Sequence, residues 1–137
     1  MRTRDLLFVV LAVIAPFIFA SCGVDQSDPK SVADAAIKYQ SEYDYKGMIT
    51  LVNPDDKNVI ERFERFQTIR DKMKEDGSAK EDKKYNYEFK SIKDGYTPDE
   101  KTVVYSYYDS EYSGGFKFDK SVELKRTDGK WYLKSIK

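Results

Sequence analysis

The stretch Tyr85-Asn86-Tyr87-Glu88-Phe89-Lys90 places an aromatic ring at every second residue, and that period of two decides how the rest of the chain is read. A strand sends successive side chains to opposite faces, so the three rings mark one face of a sheet and Asn86, Glu88 and Lys90 the other. The same period returns toward the C-terminus. DGYTPDE (residues 94–100) breaks it as a loop, and Thr102 to Tyr112 resumes it with a run rich in valine and tyrosine. Ser113-Gly114-Gly115 turns the chain, and Phe116, Phe118, Val122 and Leu124 continue on alternate positions. Asp128-Gly129 is a two-residue hairpin turn, because both residues tolerate positive φ, and KWYLKSI (residues 130–136) closes the chain as a strand. Four antiparallel strands are expected.

Before Lys84 the period is helical. Asp28-Pro29 supplies an N-cap and a proline in the first turn, and Val32, Ala36, Tyr39 and Tyr43 follow at spacings that share one face. The spacing predicts a helix from about Pro29 to Tyr45, ended by Gly47. MITLV (residues 48–52) reads equally as a brief helix or a strand. Asp55 or Asp56 caps a longer helix in which Val59, Phe63, Phe66, Arg70 and Met73 mark one side and Ile60 and Ile69 widen it. That helix runs out near the charged connection Glu75 to Lys84. Helices first and a meander of strands after is the order of an α+β domain, with a curved antiparallel sheet packed against the helices.

Composition narrows the function. The 137 residues suit one domain. With 24 basic and 24 acidic residues, no net field draws the chain toward nucleic acid. Histidine is absent, so neither a zinc site nor a Ser/His/Asp triad can be built, and no metal or cofactor is expected. The 11 tyrosines are the compositional oddity, suited to half-buried strands and to the walls of polar pockets.

The opening of the chain is greasy. Arg2 and Arg4 precede an apolar run from Leu6 to Ala20, shorter than the roughly 20 residues of a bilayer-spanning helix and interrupted by Pro16. Residues 1–21 have the layout of a secretory signal peptide. Phe19-Ala20-Ser21-Cys22 holds the single cysteine and resembles the lipobox of bacterial lipoproteins. The resemblance implies that Cys22 is lipidated, becomes the new N-terminus and moors the chain to a membrane of the cell envelope. Gly23 after the cysteine leans toward the outer membrane under the enterobacterial sorting rule. A cleaved leader with a free thiol and an uncleaved signal anchor are the alternatives. Residues 22–28 then read as a lipid-anchored tether, and 29–137 as the domain.

A helical first half, long hairpin strands and a terminal D-G-K-W-x-apolar strand (residues 128–133) resemble the nuclear transport factor 2-like, or cystatin-like, superfamily, in particular its small bacterial lipoproteins. That resemblance implies a cone whose open end is a pocket in some members. Tyr39, Tyr43, Phe63, Phe66 and Trp131 would point into it, and homodimers form across the sheet in many members. A stripe of aromatics is also what a plain core looks like. Tyr105 and Tyr107 share one face of their strand while Tyr108 and Tyr112 share the other, so one set can form an exposed aromatic strip.

Carboxylates such as Glu61, Glu64, Glu88 and Asp128 fall on polar faces or in turns, and none sits at a position the apolar pattern marks as interior. The expectation is therefore a non-enzymatic envelope domain that binds a small ligand or an envelope protein. The runner-up is a carboxylate/tyrosine enzyme of the isomerase or cyclase type. A third reading, a structural subunit of an envelope complex, predicts a filled cone and an exposed apolar strip.

Overall fold

A computed structural model of the chain describes residues 23–78, 85–109 and 117–137. The leader, Cys22, Tyr112, the Ser113–Gly115 turn and Phe116 lie outside the described residues. Among those described, three helices precede a four-stranded antiparallel sheet, an α+β arrangement as the change of period predicts.

Helix α1 (Pro29–Ser41) begins as expected: the Asp28 carboxylate accepts from the Lys30 backbone N–H at 3.0 Å, with Pro29 in the first turn. Val32, Ala33, Ala36 and Ile37 form its buried face and lie across the sheet. The helix stops at Ser41, short of the expected Tyr45. Tyr43 takes a left-handed conformation (φ 57°) and the Asp44 N–H turns back to the Tyr39 carbonyl at 2.9 Å. Asp44 then starts a new helix by accepting from the Gly47 N–H at 2.8 Å. Gly47, expected as a terminator, instead lies inside this helix, α2 (Tyr45–Ile49). A Cβ at Gly47 would stand 2.5 Å from the Tyr39 ring, so the glycine lets that ring lie on the backbone. The ambiguous MITLV stretch is thus resolved: α2 ends at Ile49, and Met48, Leu51 and Val52 enter the core.

Helix α3 (Lys57–Glu75) starts after Asp56, whose carboxylate turns away to Lys134 Nζ at 2.5 Å instead of capping its own helix. Val59 and Phe63 are buried. The following turns depart from expectation: Phe66, Ile69 and Met73 are 41%, 50% and 43% exposed. A helix of this length extends about 28 Å at 1.5 Å per residue, while α2, on which it mainly packs, is five residues long. The C-terminal half of α3 leaves its apolar side chains about half exposed and returns to the body through Arg70, whose guanidinium lies 4.0 Å from the Tyr43 ring centroid.

Strands β1 (Tyr85–Asp94), β2 (Glu100–Asp109), β3 (Lys117–Thr127) and β4 (Lys130–Ile136) pair in sequence order and the sheet stays open. Register partners Tyr87 and Tyr107, Val103 and Val122, and Leu124 and Leu133 share the face that meets α1. Bulges fall at Phe89/Ser91 and Glu123/Leu124. Asp128 (φ 52°) and Gly129 (φ 78°) make the tight β3–β4 turn. The Trp131 N–H donates to the Gln26 carbonyl at 2.8 Å and the Leu133 N–H to the Leu51 carbonyl at 2.9 Å, so loops cover the outer edge of β4.

That pairing changes the reading of the segment before α1. Val24 packs against the core, the Asp25 N–H donates to Ser31 Oγ at 3.0 Å, and Gln26 Nε2 reaches the Trp131 carbonyl at 3.4 Å. Residues 23–28, within the stretch read as a lipid-anchored tether (22–28), lie against the body of the domain.

Candidate functional site

On α1 the residues Lys30, Ser31, Asp34, Ala35 and Lys38 recur at helical spacing along the side that looks toward β1, flanking the apolar side. Tyr39 from the same helix and Tyr87 from β1 complete a cleft of about 580 Å³, with Gly23 and Val24 at its rim. Behind Asp34 stands Tyr105 of β2, buried in the core among apolar neighbours, whose hydroxyl donates to Asp34 Oδ1. Asp34 Oδ2 accepts from Lys30 Nζ at 2.9 Å, and the same ammonium stands 4.9 Å from the Phe89 ring centroid. Tyr87 and Phe89 meet Tyr105 edge-on, each with centroids 6.2 Å away. Burial, reinforced by the carboxylate of Asp34, pushes the Tyr105 phenol far above the ordinary tyrosine range. It stays protonated at any physiological pH and serves as a fixed donor.

A second aromatic group gathers where β1 begins. Tyr85 stacks on Tyr107 with centroids 4.7 Å apart, Tyr107 meets Phe118 at 5.6 Å, and the Arg70 guanidinium lies 4.0 Å from the Tyr43 ring centroid. Burial raises both Tyr43 and Tyr107, with Tyr85 adding to each. A further cleft of about 540 Å³ beside the β1–β2 hairpin is lined by Asp94, Tyr96, Glu100, Lys101 and Lys125, with Lys101 Nζ 2.5 Å from Asp94 Oδ1. The carboxylates of Asp94, Asp56 and Glu123 are all held below their usual range, chiefly by hydrogen bonds from Lys101, Lys134 and Ser135 respectively.

The candidate residues therefore do not converge on one cone. Tyr39 lines the α1–β1 cleft and Tyr105 touches it only through Asp34, whereas Tyr43 and Tyr107 belong to the second aromatic group. Phe63 and Trp131 are core, packed with Ile37, Met48 and Leu133 in the space between helices and sheet. Phe66, expected to point inward, is 41% exposed, touching Tyr45 at 5.6 Å and Phe63 at 6.3 Å while the rest of its ring faces out. Tyr105 and Tyr107 are buried, so the exposed-strip reading does not apply to them. Lys30 and Asp34 were not singled out in the sequence, and Tyr87 was marked only as a strand residue of the aromatic face. Lys30 and Asp34 carry an i, i+4 charge pattern on α1, but nothing local announces that Asp34 reaches a tyrosine 71 positions away. Among the described residues no group of three or more His, Cys, Asp or Glu could hold a metal ion, and no helix is long and apolar enough to cross a membrane.

No protein-family model matches the chain, and no curated protein matches it. Among solved structures, it is similar to the solution structure of a SEC-C motif containing protein from Rhodopseudomonas palustris, with a TM-score of 0.52 and 12% identity over 90% of this chain and 86% of that one. At that identity the likeness shows the fold, an open α+β arrangement of helices on an antiparallel sheet.

Proposed function

We propose that the chain is a lipid-anchored cell-envelope protein whose body, of cystatin-like architecture, binds a small polar ligand in the cleft between α1 and β1 without transforming it. The observation that carries this reading is the cleft itself. Its volume of about 580 Å³ falls in the range of small-molecule sites, and it pairs tyrosine walls with a preorganised ion pair, Lys30 and Asp34, over a filled core. Tyr39 and Tyr87 offer ring faces and hydroxyls to a ligand, while Lys30, Asp34 and Lys38 offer donors and acceptors already held in place.

A carboxylate/tyrosine enzyme would find its pair in Asp34 and Tyr105. Two features favour binding over that chemistry. The Tyr105 proton is committed to Asp34 by a phenol too weak an acid to release it, and Asp34 is engaged on both oxygens.

The test is native mass spectrometry of full-length protein extracted from membranes of the producing bacterium. A small molecule retained by the parent and by Lys125→Ala, and lost from Tyr87→Ala and Asp34→Ala, is expected. A ligand lost equally from Lys125→Ala, or no bound molecule together with fragment binding scattered away from the cleft by NMR, would overturn the reading.

A further inference from the structure

The residue after Cys22 already lines the α1–β1 cleft, and the next, Val24, is packed against the core. Two residues of extended chain reach at most about 7 Å. The headgroup layer on each side of a bilayer is about 5 to 7 Å deep, the difference between the full thickness and the hydrocarbon core. The segment that follows Val24 is fastened to the body: Asp25 is bonded to Ser31 on α1 and to Ser27 through its carboxylate, and Gln26 exchanges two hydrogen bonds with Trp131 on β4. An acyl chain on Cys22 would thus pull on a point fixed in the body, with just enough chain between them to span the headgroups and no slack to lift the body away.

We infer that the body is seated directly on the membrane in one orientation, with the wall of the α1–β1 cleft turned toward the lipid headgroups and the opposite face of the sheet turned away. This rests on the reading of Cys22 as the lipid anchor and adds what the described residues contribute to it: the absence of free tether. The cleft wall is close to electroneutral, since Lys30 pairs with Asp34 at 2.9 Å and Lys38 with Glu42 at 3.5 Å. Orientation therefore comes from the short attachment and not from attraction to anionic lipid, and it survives high salt. A ligand entering the cleft approaches through the headgroup layer.

The test uses lipidated protein recovered from membranes and reconstituted into phosphatidylethanolamine/phosphatidylglycerol vesicles containing nitroxide-headgroup lipid. A fluorophore is placed on Lys38→Cys, at the cleft, or on Lys125→Cys, on the outer face of the sheet; an acylated Cys22 offers no competing thiol. Quenching several-fold stronger at position 38 than at 125, unchanged at 1 M salt, is expected. A Gly/Ser insert of about twelve residues between Cys22 and Gly23, with a root-mean-square reach of roughly 20 Å, should bring the two positions together. Intact mass separates the two ways of failing. Equal quenching with an acylated Cys22 overturns the seated orientation alone, whereas an unmodified Cys22 overturns the anchor and the seating with it. A difference that vanishes in salt assigns the orientation to surface charge and also overturns the inference.

Discussion

Helices α1 and α3 announce themselves in the same way, by apolar residues recurring at three and four, yet one seals its aliphatic side chains in the core and the other keeps half of its stripe in water. Val32, Ala33, Ala36 and Ile37 are sealed between α1 and the sheet. Phe66, at equally regular spacing on α3, is only partly covered by Tyr45 of the short helix α2, and Ile69 and Met73 are 50% and 43% exposed. A periodic stripe states which side of a helix is apolar; whether that side is buried depends on how long its partner is, and that is a property of distant sequence.

The contrast is strongest at two isoleucines. Ile37→Ala opens a hole in a fully buried site and should cost about 3 kcal/mol in denaturant unfolding. A cost below about 1 kcal/mol would mean that α1 is not the keystone its burial makes it.

The next effect concerns the bond that fastens α1 to the sheet. Tyr105→Phe keeps the ring and removes the donor to Asp34, for a loss of about 1 kcal/mol near neutral pH. The pH dependence follows from the raised phenol. The folded form holds the proton more tightly than the unfolded chain, so the stabilisation is complete below about pH 10 and drains away as pH rises past it and the unfolded phenol ionises. Urea titrations between pH 7 and 11 should show a shallower alkaline decline for Tyr105→Phe than for the parent. Parallel declines would place the titrating group elsewhere.

The smallest effect belongs to the half-exposed end of α3. Ile69→Ala should change stability by about 0.5 kcal/mol or less, since half of the side chain is already exposed. A loss approaching that of Ile37→Ala would erase the contrast and show that the stripe is covered in solution.

What could be read in advance follows the range of the interaction that fixes it. The alternation from Tyr85, the Asp128-Gly129 turn and the Asp28-Pro29 helix start are local, dictated by residues within a few positions of one another, and all three stand as expected. The stop of α1 at Ser41 depends on Tyr39 lying against Gly47 and on Tyr43 turning left-handed, a choice that helical spacing cannot express. The docking of residues 23–28 rests largely on a backbone bond from Trp131, and backbone groups carry no side-chain signature. Of the cleft, Tyr39 and Tyr105 were legible as aromatics that could line a site. Their separation from Tyr43, Phe66 and Trp131, and the arrival of Asp34 above the Tyr105 hydroxyl, are products of tertiary packing.

The latch between Gln26 and Trp131 spans 105 positions, so the first turn of the body is completed by nearly its last strand. A growing chain cannot close it until residue 131 has emerged, and contacts of such sequence separation form late and slowly. The N-terminal end of the body is thus fastened only once β4 has joined the sheet.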